Sequence, residues 1–80
     1  MAGYHKKKIP KGVLGNWSKI EEEFLEAKDS YEQKNEIMTL LELSDLLGAI
    51  EAYCSQYNID LKSLIKMKDA TKNAFLSGHR

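Results

Sequence analysis

The sequence predicts an all-α domain, a compact bundle of three main helices completed by self-association. Three observations point there. Apolar residues recur at helical spacing over three separate stretches, no stretch alternates with the period of two that a strand needs, and helix-starting and helix-stopping residues stand between the stretches.

Residues 1–16 differ from the rest. They hold Gly3, Gly12 and Gly15, the only proline (Pro10) and a basic tract, and they read as an extended basic arm preceding a helical domain over 17–80. Asn16 or Ser18 can cap a first helix, because either side chain can accept from the free amides of the first turn, and Glu21 follows Ser18 at capping-box spacing. Trp17, Ile20, Phe24, Ala27 and Tyr31 then form one apolar stripe. The polar stretch Glu32 to Glu36, with Asn35 inside it, breaks the chain before a second helix over 36–57. That helix is apolar almost all round, which predicts burial on most sides. Asp60 caps a third helix with Leu61, Leu64, Ile65, Lys68, Thr71 and Phe75 along one face, ending near Gly78. Two neighbours cannot cover a central helix of this kind, so at least a homodimer is expected, with helix 2 at or near the interface.

At 80 residues and 42% apolar content the chain has one domain's worth of core, and a multidomain enzyme is excluded. The single cysteine, Cys54, forbids an intrachain disulfide and a zinc cluster, which fits a reducing compartment. No apolar run reaches the roughly 20 residues of a membrane span, and Lys6, Lys7 and Lys8 precede no signal-like apolar stretch. A soluble, cytoplasmic protein without membrane partners is expected.

The net charge of zero hides a segregated pattern. Residues 1–20 carry five lysines and no acid, residues 21–51 ten acids against two lysines, and residues 52–80 five cations against two acids. An acidic middle between basic ends suits a site that holds cations centrally and polyanions at its edges.

The carboxylates are also patterned. On the second helix Ser44, Glu51 and Ser55 fall on one polar edge, whereas Glu42 and Asp45 share a strip with Met38, Ala49 and Ala52. Carboxylates on an apolar strip suffer desolvation and mutual repulsion unless a positive group neutralises them. On the first helix Glu22, Glu23 and Glu26 sit at i, i+1 and i+4. A Glu-rich first turn is ordinary, since acids favour the positive end of the helix dipole, but that does not account for Glu42 and Asp45. Packed helices can bring the two sets face to face in an all-oxygen environment suited to Mg²⁺ or Mn²⁺, with His5 and His79 left in the tails.

The run Glu22-Glu23-Phe24-Leu25-Glu26 followed by Glu42-Leu43-Ser44-Asp45 resembles the Glu-Glu-x-x-Glu and Glu-x-x-Asp pair of the MazG-like all-α nucleotide pyrophosphohydrolases, over roughly Trp17 to Arg80. Ile9-Pro10-Lys11-Gly12 and the ending from Lys68 to Arg80 are similar to small, often phage-encoded members. The resemblance implies a Mg²⁺-dependent enzyme, with Mn²⁺ as a possible substitute, that cleaves a nucleoside triphosphate to the monophosphate and pyrophosphate. It implies Glu23, Glu26, Glu42 and Asp45 as metal ligands, Glu22 as the residue that orients or deprotonates the attacking water, and Lys68, Lys72 and Arg80 as phosphate-binding cations. It also implies a homodimer or homotetramer with sites near the interface. The chain is shorter than the fuller family pattern, and Ala49 stands where some relatives place a larger residue near the base.

Two other readings compete: a nucleotide-sequestering protein of the same fold, and a helical interaction module whose basic arm touches a partner. Tyr4 with Lys6, Lys7 and Lys8 falls short of a nucleic-acid module, and the neutral charge argues against a nucleic-acid partner.

Overall fold

The computed structural model describes residues 5–78, and among them the chain forms three α-helices and no strand: α1 (Trp17–Glu32), α2 (Glu36–Ser55) and α3 (Leu61–Leu76). The all-α class and the three-helix order follow the sequence pattern closely.

The chain enters α1 through a turn in which the Asn16 amide donates to the Val13 carbonyl at 2.9 Å and Gly15 takes φ +96°. Asn16 occupies the N-cap position without a side-chain cap bond. Ser18 lies inside the helix and spends its hydroxyl on the Val13 amide at 3.1 Å, so the expected capping box from Ser18 to Glu21 does not form. The break at 33–35 is as expected, with Lys34 at φ 61° and the Asn35 side chain capping α2 by accepting from the Met38 amide at 3.1 Å. Asp60 caps α3 by accepting from the Ser63 amide at 2.8 Å, and Gly78 at φ +78° follows the helix end.

The three-residue link folds α1 and α2 into a helical hairpin, and almost all packing lies between these two helices. α3 makes almost no contact with either helix and buries none of its residues.

The seam of the hairpin overturns the expectation of an apolar core. The buried residues on α1 are Glu22, Glu23, Ala27, Asp29 and Ser30, and those on α2 are Glu42 and Ala49. The bulky aromatic members of the α1 stripe are left largely exposed, with Trp17 58% and Tyr31 72% exposed, while its Ala27 turns into the seam, and on α2 Ile37 is 79% exposed. Small side chains explain which faces meet: Ala27, Ser30 and Ala49 let the helices approach, whereas the bulky stripe would hold them apart. Ser44, Glu51 and Ser55 are exposed as expected.

The described part of the arm is extended but not free. Residues 5–13 lie back against α1 through bonds to its acids and to the Ser18 hydroxyl.

Candidate functional site

The site is built from the carboxylates of the hairpin seam. Glu22, Glu23 and Glu26 each place a carboxylate oxygen so that all three lie within 4.8 Å of one another, and Glu26 stands equally close to Glu42 across the seam together with His5. Glu22, Glu23 and Glu42 are buried to 3%, 7% and 4% exposure. Helix geometry accounts for the first set, because positions i, i+1 and i+4 share one side of α1. Ala49 and the Met38, Ala52 strip account for Glu42, since they turn that face of α2 toward α1.

These acids differ in how they are satisfied. One Glu22 oxygen accepts from the Gly12 amide at 2.8 Å and from Lys19 Nζ at 3.1 Å, and the other lies 3.6 Å from Lys11 Nζ. Burial works to raise the Glu22 carboxyl, but the Gly12 N–H, Lys19 and Glu26 outweigh it and hold the group below its ordinary value. Glu26 moves the other way: burial, then the neighbouring Glu23 and Glu22, push it above the usual carboxylate range. Glu23 Oε2 is fully enclosed and has no hydrogen-bond partner, and neither has the buried Ser30 hydroxyl. An unpaired carboxylate oxygen at such depth costs free energy that a cation would recover.

Two residues of the site were not predicted. The sequence pattern leaves His5 in a tail, yet its ring is inserted against α1, with Nδ1 2.9 Å from Asp29 Oδ2 and Nε2 3.1 Å from Glu26 Oε2. Asp29 is 2% exposed and also accepts from the Lys6 amide at 3.1 Å and Gln33 Nε2 at 2.9 Å. The His5 bond first, then those from Lys6 and Gln33, hold its carboxyl below the ordinary aspartate value against the effect of burial. Lys7 pairs with Glu32 at 2.6 Å on the same side, which raises the lysine and lowers the glutamate. The sequence signal that anticipates this docking is the charge segregation, a basic arm directly followed by an acidic helix.

The remaining predicted residues stand elsewhere. Asp45 is exposed one turn along α2 and joins neither group of close ligand atoms. Lys68 and Lys72 are exposed on α3, with Lys68 paired to Asp69 at 2.6 Å, and α3 does not bring them against the hairpin. Arg80 and His79 lie outside the described residues. Trp17 and Tyr53 meet edge to face at 5.6 Å, and Tyr53 reaches Tyr57 at 5.5 Å, so both rings are engaged in an aromatic cluster rather than set aside for a base. A hollow of about 610 Å³ at the hairpin turn is lined by Tyr31, Glu32, Lys34, Glu36, Thr39 and Leu40 and holds none of the predicted site residues.

The donor set fits a hard divalent cation. Carboxylate oxygens from two helices converge, one buried oxygen lacks a partner, and no thiolate is near: Cys54, the only cysteine, stands outside both groups of close ligand atoms. Comparisons of the chain with protein-family models, with curated proteins and with solved structures found no match.

Proposed function

We propose that the chain is a divalent-metal-dependent nucleoside triphosphate pyrophosphohydrolase of the MazG-like type, cleaving a ribo- or deoxyribonucleoside triphosphate to its monophosphate and pyrophosphate. The observation that carries this reading is the convergence in the hairpin seam of the buried Glu23 and the buried Glu42 on the half-buried Glu26 between them, with Glu23 Oε2 left unpaired. Mg²⁺ or Mn²⁺, when bound, would polarise a phosphate and acidify a water.

The chain's own residues supply the rest. Glu23, Glu26 and Glu42 hold the cation from both sides of the seam, and Asp45, one turn along α2, is the fourth ligand. Glu22 orients the attacking water; its engaged oxygens and lowered pKa make it a weak base, so orientation rather than proton removal is its part. Lys68, Lys72 and Arg80 serve the phosphates across a contact between copies of the chain. Self-association is supported by the uncovered apolar faces of α1 and α2 and by the nearly detached α3.

One observation favours a second reading, a nucleotide-binding protein that does not turn its ligand over. In the single chain Asp45, Lys68 and Lys72 all stand clear of the buried carboxylates. No helix among the described residues is long and apolar enough to cross a membrane.

A product assay separates the two. The protein is incubated with Mg²⁺ and a panel of nucleoside triphosphates, and monophosphate plus pyrophosphate is resolved from diphosphate plus phosphate, with Glu42→Gln alongside. Monophosphate and pyrophosphate that vanish in Glu42→Gln are expected. A folded, metal-responsive protein that cleaves no nucleotide would overturn the hydrolase reading in favour of the binding protein.

A further inference from the structure

The arm brings to the carboxylate seam a group that differs in kind from the rest. His5 is the only imidazole among the described residues, and its side chain is 7% exposed although it sits ahead of every helix. Its two nitrogens face different partners: Nδ1 meets Asp29 at 2.9 Å, and Nε2 meets Glu26 at 3.1 Å. Asp29 is itself fixed, since its Oδ2 also accepts from the Lys6 amide and Gln33. A metal-bound histidine shows this arrangement: one ring nitrogen carries the proton and donates it to a buried carboxylate, and the other points its lone pair into the site.

The distances agree with that role. Two donors at right angles around an ion, each about 2.1 Å from it, stand about 3 Å apart. His5 Nε2 and Glu26 Oε2 are 3.1 Å apart, and one ligand atom from each of His5, Glu26 and Glu42 fits within 4.8 Å. A separate observation comes from the adjoining group that shares Glu26: there the buried Glu23 Oε2 has no hydrogen-bond partner.

From this we infer that His5 is a nitrogen ligand of the divalent metal, completing with Glu26 and Glu42 a mixed nitrogen and oxygen site, and that Asp29 is the positioning residue that orients the ring. The inference rests on the reading of the seam as a metal site and adds two residues to it. A nitrogen donor favours Mn²⁺ over Mg²⁺, because Mg²⁺ takes oxygen ligands almost exclusively whereas imidazole suits transition metals. It also makes the N-terminal arm part of the site.

The test uses the full chain and Mn²⁺ alone. Electron spin-echo spectra of bound Mn²⁺ report directly whether a nitrogen is coordinated, and the free-ion signal gives the affinity. Nitrogen coupling is expected in the wild type, retained in His79→Ala and lost in His5→Ala. Mn²⁺ binding is expected to weaken about 10–100-fold in His5→Ala and to weaken also in Asp29→Asn, with a smaller change for Mg²⁺. Mn²⁺ bound to the wild type without nitrogen coupling would overturn the assignment while leaving the carboxylate site standing, and that spectrum decides even if a variant misfolds. Equal Mn²⁺ affinities for wild type and His5→Ala would overturn it too. A wild type that binds no Mn²⁺ would sink this inference and the metal-dependent function together, whereas nitrogen-coupled Mn²⁺ without nucleotide cleavage would sink the hydrolase reading alone.

Discussion

Gly12 is where the arm meets the start of α1. A Cβ at this position would fall on the backbone of Ser18 and Lys19, and the Gly12 amide is a hydrogen-bond donor to the buried Glu22. Backbone cannot yield as a flexible side chain can, so Gly12→Ala is expected to destabilise the protein by about 1–3 kcal/mol in urea titrations. On the proposed function, with Glu42 as a metal ligand and Glu22 as the residue that orients water, the two seam carboxylates lead to different kinetics. Glu42→Gln should lose turnover and Mn²⁺ affinity together, because it removes a ligand. Glu22→Gln should lose about 100-fold in kcat while keeping most of the metal affinity, as expected of a residue that orients water. Metal titrations run beside steady-state assays would separate the two.

Among the helices, α3 depends most on its cap, because none of its residues is fully buried and it makes almost no contact with α1 or α2. The Ser63 amide bond holds the Asp60 carboxyl below its ordinary value. A depressed carboxylate contributes stability that is present above the unfolded aspartate value and is lost as pH falls through the lower folded value. Acid titration followed by helical circular dichroism should therefore show a loss of signal below the usual aspartate range. Asp60→Asn, which can still cap but does not titrate there, should flatten that loss. Signals of this kind are local, and for that reason the break around Asn35, the Asp60 cap, the stop near Gly78 and the order of three helices were legible in the sequence. Which face of each helix turns inward was not. Periodicity marks Trp17, Phe24 and Tyr31 as a stripe but does not say whether it meets α2 or another molecule, and here the small residues Ala27, Ser30 and Ala49 decide the seam. The approach of the Glu22, Glu23 and Glu26 set to Glu42, made through Glu26, was readable because it needs only helix spacing and a tight link, whereas Asp45, expected beside Glu42, stays exposed outside it. His5 was not, since its partners lie 21 and 24 residues away and no local pattern connects them.

For the molecule as a whole, the radius of gyration is 14.4 Å, against about 12 Å for a compact chain of this length. α3 stands almost without contact to the hairpin, and the large apolar side chains left outside the hairpin leave the single chain short of a core of its own. Sedimentation at rising protein concentration should show an oligomer, with a melting temperature that climbs with concentration. Leu40→Glu, on the exposed side of α2, should shift the mass to the monomer and lower that melting temperature. The carboxylate-filled seam carries one more consequence, a trade-off between robustness and use. Replacing a buried charge by an apolar side chain of similar volume commonly stabilises a fold. Glu42→Met should therefore raise the melting temperature of the metal-free protein while abolishing its response to Mn²⁺. Under the proposed metal-binding role, a screen for thermal resilience alone would erase the site, and the most durable version of this chain would be a poorer one at that task.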